Sequence, residues 1–183
     1  MKMELRNALP EDFDFILKLT RQNMEKIVTR EWNADWEKNI EPNFVNMWKT
    51  QGKKKIIEVD NRPVGYFWFE QLPEPKEIFI NSIQIVEQSQ RKGLGTEVVN
   101  WLLKEARNRN LEFVRCVVQK NNVHARKFFA KNKFEFIEET ESGILVERRV
   151  DVKWFSSTYS LPCLPSQSRH QLRFDQPSEP NQN

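Results

Sequence analysis

Cysteine and histidine are nearly missing from this sequence of 183 residues, with two of each. Cys116 and Cys163 are too few for a disulfide framework, and His124 and His170, far apart and without cysteine company, form no metal site, so no metal is expected. Glycine is scarce, at five residues, and no apolar run approaches the roughly 20 residues that a membrane helix needs. Net charge is small, +3 from 29 basic and 26 acidic side chains. That balance speaks against a dedicated nucleic-acid binder. The start MKMELRNALPED carries no signal-like apolar stretch, so the expectation is a reduced, cytoplasmic protein without membrane or nucleic-acid partners. What is present, 38% hydrophobic and 11% aromatic residues, suffices for one globular domain.

The order of elements is mixed. MELRNA reads as a strand, and after Pro10 the residues Phe13, Ile16, Leu17, Thr20, Met24, Ile27 and Val28 keep helical spacing. A second helical region is predicted from Asn33 as N-cap, bent at Pro42 and carrying Trp36, Ile40, Phe44 and Trp48. KKIIEVD and PVGYFWFE flank the turn-rich Asp60-Asn61-Arg62-Pro63 as a hairpin. Glu77 to Val86 is apolar on both parities, Phe79, Ile83 and Ile85 on one and Ile78 and Ile80 on the other, as in a central strand covered on both faces. A helix beginning at the glycines presents Leu94, Val98, Leu102 and Ala106 on one side. LEFVRCVV is a strand, NVHARKFFAKN a helix, and FEFIEE and GILVERRV are closing strands. From about Asp151 the composition turns rich in Ser, Pro and Gln. The division is a domain over 1–150 and a tail over 151–183, partly docked or disordered: Trp154 to Leu161 could dock as a strand on this domain or a partner, and Pro177 onward reads as disordered.

Two of the five glycines fall in Gln90-Arg91-Lys92-Gly93-Leu94-Gly95-Thr96, between the central strand and the helix. Backbone amides at a helix start lack intrahelical partners, and the helix dipole adds positive charge there. Such a loop suits a phosphate. Alone, a GxG is more often only a tight turn. The spacing excludes a Walker loop, since no lysine follows Gly95, and a dinucleotide fingerprint, since the third glycine position is Val98.

The loop matches the Q/R-x-x-G-x-G/A signature of the GNAT acyltransferase superfamily, and NNVHARKFFAKNKFEFIEE resembles that family's N-x-x-A-x-x-F-[YF]-x-K-x-G-F segment, with Asn122, Ala125, Phe128 and Lys131 in register. The resemblance implies an α/β (α+β) GNAT fold: a mixed, mostly antiparallel sheet of about seven strands flanked by about four helices, followed by the tail. It implies acetyl-CoA as co-substrate, with its pyrophosphate on the backbone of Gln90, Arg91, Lys92, Gly93, Leu94, Gly95 and Thr96. Its pantetheine would lie between the strand ending at Val86 and the strand ending at Val118. Ile85 and Val86 would offer main-chain groups to it, the Ile85 N–H polarising the thioester carbonyl. Asn122 would hydrogen-bond the pantetheine, and Arg91, Lys92 or Lys131 would screen the phosphates.

Two positions depart from the family pattern. Phe129 stands where many members carry a tyrosine that protonates the leaving thiolate, and Lys133 stands where a left-handed glycine is usual. Asn81 and Gln84 occupy the places of a carboxylate base, which leaves Glu31, Asp35 and Glu70 as base candidates, each more simply read as a solvated charge. Of Trp32, Trp36 and Trp48, two are read as core filling, with packing around an apolar or cationic acceptor as the alternative. The expected activity is acetyl transfer to a primary amine of a small molecule or peptide by direct attack. Cys116 has no evident base beside it for a covalent route. The rival reading is an acyl-CoA-binding sensor or docking module without chemistry. The acceptor and the oligomeric state, a homodimer included, stay open.

Overall fold

The computed structural model describes residues 2–151; the expectations for Trp154 to Leu161 and from Pro177 onward lie outside the described residues. A seven-stranded sheet in the order β1-β2-β3-β4-β5-β7-β6 carries four helices. The strands are β1 (Met3–Asn7), β2 (Lys53–Val59), β3 (Arg62–Leu72), β4 (Glu77–Ile85), β5 (Phe113–Val118), β6 (Glu135–Thr140) and β7 (Gly143–Arg149). The helices are α1 (Phe13–Trp32), α2 (Glu41–Thr50), α3 (Leu94–Asn108) and α4 (Val123–Lys131). All strand pairs are antiparallel except β4 with β5. No helix of the described residues is long and apolar enough to cross a membrane.

The two sheet faces bury different cores. On one face Phe67, Phe69, Ile78 and Ile80 pack with Val98, Val99, Leu102 and Ala106 of α3, and with Phe129 of α4. On the other, Ile56, Tyr66 and Trp68 meet Ile16 and Leu19 of α1, with Phe44 and Trp48 of α2 at the edge. Helix α3 follows its sequence pattern closely, Leu94, Val98, Leu102 and Ala106 all being sealed from solvent. Trp36 is buried with Val28 and Ile40, and Trp32 packs on them. Trp48 stands edge-on to Trp68 at 5.7 Å. The Lys54 ammonium sits over both rings, 5.2 and 5.5 Å from their centroids, and burial pulls its pKa down. Trp36 is thus core, while Trp32 and Trp48 are partly buried and pack against their clusters.

Three local readings are corrected. Asn33 does not start a helix; at φ 48° it is the left-handed residue that ends α1. Asp35 is the cap instead, its carboxylate accepting from the Lys38 N–H at 2.8 Å, and Trp36–Ile40 winds as a π-helix into α2. The hairpin turns on Asp60 and Asn61 alone, both left-handed at φ 51° and 59°, a primed turn suited to strand twist. The third correction concerns the site. Trp68 pairs with Ser82 and Phe69 with Ile80, so Asn81 is an extra residue, a β-bulge. It reverses the parity of β4, and Ile78, Ile80, Ile83 and Ile85 all pack on the α3 face rather than on two faces.

Candidate functional site

The bulge marks where two strands part. β4 pairs with β5 only from Glu77 with Phe113 to Ile80 with Cys116. Beyond that point Asn81–Ile85 continues beside β3, while β5, paired with β7 along its whole length, continues beside β7 alone. A gap opens between the C-terminal ends of two parallel strands. At the closed end Arg115 donates to Glu77 at 2.7 Å and to Glu147 at 2.6 Å, tying β4, β5 and β7 together.

Main-chain direction at the gap follows from the register. The Val86 N–H donates to the Val64 carbonyl at 2.9 Å. The neighbouring Gly65 and Ile85 therefore form a non-hydrogen-bonded pair, and the N–H and C=O of Ile85 point away from β3, toward the gap. Of the two residues assigned main-chain roles from sequence, Ile85 turns its N–H toward the gap while its carbonyl accepts from Asn23 and Gln90, and Val86 has its N–H committed to β3.

Residues 90–96 bring the start of α3 to the mouth of the gap. Gly93, the N-cap, has φ 90°, a conformation that favours glycine, and a Cβ there would meet no atom within 4 Å. The space beside Gly93, where α3 begins, is thus open, with Arg91 and Lys92 exposed beside it. Arg91 is itself left-handed at φ 59°. Gly95 is different: its added Cβ would stand 2.9 Å from Phe128 Cε2 and 3.7 Å from Ile85 Cδ1. It is a packing glycine that lets α4 approach α3. Leu94 is buried, so it offers the site only its backbone. Gln90 folds back, its Nε2 donating to the Ile85 carbonyl at 2.8 Å, and Thr96 lies in the first turn of α3.

Helix α4 forms the other wall. Asn122 is its N-cap, Oδ1 accepting from the Ala125 N–H at 3.0 Å, and its Nδ2 lies 3.9 Å from Met24 Sδ. The side chain expected to bind ligand thus has a structural use for its oxygen, and only the amide nitrogen faces α1. Phe128 and Phe129 stack edge-to-face at 5.1 Å, and Phe129 meets Phe134 at 5.0 Å. Phe129 is a core side chain without a proton to give. Lys131 is exposed at the end of α4, and Lys133 is left-handed at φ 61° as the pattern requires.

The base candidates are all occupied. Both Glu31 oxygens accept backbone N–H groups, from Lys120 at 2.7 Å and Asn121 at 2.8 Å, which straps α1 to the turn after β5. Glu31 is a clamp, not a free base. Glu70 accepts from Asn81 Nδ2 at 2.9 Å at the bulge. Asp35 caps the π-helix. Cys116 is 2% exposed and burial raises its thiol pKa well above the ordinary value, so it is no nucleophile. No cluster of metal-ligating side chains occurs among the described residues.

Sequence reasoning missed a polar chain on the α1 face of β4. Asn23 Nδ2 donates to Gln84 Oε1 at 2.9 Å and to the Ile85 carbonyl at 3.2 Å. Gln84 Nε2 donates to Ser82 Oγ at 3.1 Å, Ser82 and Tyr66 share a hydrogen bond at 3.2 Å, and Tyr66 and Thr20 one at 2.6 Å. Thr20 donates to the Ile16 carbonyl at 2.7 Å. Tyr66 is fully buried, and desolvation pushes its pKa up to about 12. The sequence showed only that Ser82 and Gln84 alternate on β4; their partners lie on other elements.

A parallel pair that parts toward its C-terminal ends, with a helix start at the mouth, is the arrangement implied by the sequence resemblance. The profile of the acetyltransferase (GNAT) family matches residues 20–134. The chain belongs to the GNAT acetyltransferase family. Its fold is similar to that of PaiA N-acetyltransferase from Thermoplasma acidophilum, solved in complex with coenzyme A, at 16% identity and TM-score 0.65, covering 81% of this chain and 99% of that one. The ribosomal-protein-S18-alanine N-acetyltransferase of Escherichia coli matches at 12% identity and TM-score 0.64, over 86% and 100%. Ard1 from Thermoplasma volcanium matches at 17% and 0.60, over 82% and 99%. No curated protein sequence is significantly similar to it.

Proposed function

We propose that this GNAT protein transfers acetyl from acetyl-CoA to a primary amine of a small molecule or peptide by direct attack. The observation that carries the reading is the β4–β5 gap, with the Ile85 N–H turned into it and the open start of α3 at its mouth. Acetyl-CoA supplies an activated thioester. The chain supplies a cradle for its pyrophosphate at Gly93 to Thr96, where unpaired amides and the helix dipole favour negative charge, with Arg91 and Lys92 adding exposed positive charge. Ile85 N–H would donate to a thioester carbonyl oxygen, and Asn122 Nδ2 would meet the pantetheine arm. With Cys116 sealed and its thiol held protonated, a covalent enzyme intermediate has no nucleophile here. Neither Asn81 nor Gln84 takes up a proton, so the attacking amine loses its proton to water. A cytoplasmic setting fits the free, buried Cys116.

The catalytically silent CoA-binding module is the second reading, favoured by Phe129 lying in the core where a proton donor is usual in the family. Single-turnover mixing of the protein with radiolabelled acetyl-CoA and a panel of polyamines, amino acids and peptides tests both. Label moved to any amine faster than in buffer supports transfer; CoA binding with no amine labelled favours the silent module.

A further inference from the structure

The polar chain on β4 has one direction only. The Ile85 carbonyl can only accept, so the Asn23 atom beside it is the amide nitrogen. Its other hydrogen goes to Gln84, whose oxygen must then face Asn23 and whose nitrogen must face Ser82. Ser82 Oγ, accepting from Gln84, donates to Tyr66; Tyr66 donates to Thr20; Thr20 donates to the Ile16 carbonyl. Main-chain carbonyls close both ends, and Thr20, Tyr66 and Gln84 are buried. A network satisfied throughout holds one geometry.

Both Asn23 hydrogens are thereby committed to β4, and no described residue donates to its Oδ1. The Ile85 carbonyl itself is filled by Asn23 and Gln90. Next along α1, Met24 reaches Asn122 on the far wall, so α1 bridges the gap at this level. We infer that Asn23 is an acceptor-binding residue: its Oδ1, fixed by the Gln84–Ser82–Tyr66–Thr20 chain, takes a hydrogen bond from the N–H of the incoming amine beside Ile85. An amide oxygen suits an uncharged amine, whereas a carboxylate there would hold the amine as ammonium. The inference rests on the acyltransferase reading above.

The probe is a conjugate in which the CoA sulfur is joined through CH2–C(=O) to the nitrogen of benzylamine, titrated calorimetrically alongside CoA itself. Asn23→Ala should keep the fold, alanine being the best helix former and the Ile85 carbonyl retaining Gln90. It should bind CoA within about twofold of the parent and the conjugate on the order of tenfold more weakly, the cost of one hydrogen bond. Tyr66→Phe, remote from the ligand, should weaken the conjugate by about threefold and leave CoA unchanged, because the amide loses its anchor. Equal loss on both ligands, or loss on neither, in Asn23→Ala overturns the assignment. A parent protein that binds neither CoA nor conjugate instead overturns the acyltransferase reading, and this inference with it.

Discussion

Gly95 lies against Phe128, close enough that a Cβ on the glycine would stand 2.9 Å from Cε2 and 3.1 Å from Cζ of the ring. The second glycine of the loop is therefore required by the approach of α4 to α3, where the sequence alone suggested room for phosphate. Gly95→Val should cost about 1–3 kcal/mol of stability through overpacking and weaken CoA binding with it, since the ring it displaces also lines the gap. Thermal unfolding and calorimetry on one preparation check this. Unchanged stability with lost CoA affinity would return Gly95 to the role of phosphate clearance.

Phe129→Tyr restores the hydroxyl that the family places here. The ring is 8% exposed and wedged between Phe128 and Phe134, so the variant should fold with a stability change of about 1 kcal/mol. If transfer is limited by departure of the thiolate, kcat rises at least about tenfold. Steady-state thiol release, with an amine that the parent acetylates, measures it; an unchanged kcat means the leaving group needs no acid from the protein.

Glu31→Gln keeps one acceptor oxygen for the amides of Lys120 and Asn121 and removes the charge. A clamp predicts a stability loss of about 1 kcal/mol and a pH–rate profile with the shape and midpoint of the parent's. A midpoint displaced by a unit or more would make Glu31 a base after all.

Alkaline stability should report Tyr66. Its folded pKa of about 12 lies above the unfolded value near 10, so its contribution is complete below pH 10 and is lost as pH rises toward 12. The unfolded chain releases the phenolic proton first, and the parent should lose about 1.4 kcal/mol per pH unit between those limits. Tyr66→Phe should lack this slope. Urea unfolding of both proteins at pH 9 and 11 compares them; parallel losses would mean that the phenol ionises as readily folded as unfolded.

The fold was legible because each element has one strong period: Leu94, Val98, Leu102 and Ala106 spell α3, and Asp60-Asn61 spells the hairpin turn. The loop at the mouth of the gap was legible because its glycines, and Asn122 downstream of them, match the spaced pattern of the family. What stayed hidden depends on tertiary pairing. A bulge at Asn81 leaves no mark in composition, and parity counting across it assigned Ile83 and Ile85 to the wrong face. Asn33 read as an N-cap because asparagine favours both ends of a helix, starting one by its side chain and ending one by tolerating a left-handed backbone. Glu31 looked like a free carboxylate because its partners, two backbone amides at residues 120 and 121, are far away in sequence and carry no residue signature. The Asn23 to Thr20 chain was missed for the same reason, since its links cross from α1 to β3 and β4.

The Arg115 bridge to Glu77 and Glu147 acts as a rivet at the apex of a wedge. Strands fastened at one end and parted at the other can change their opening only by bending beyond the fastening, and in β4 the bulge is where bending costs least. The width of the slot is therefore governed at Asn81, whose side chain is held by Glu70, a residue on the strand across from it. Which acyl chains enter would then depend on the Asn81–Glu70 contact.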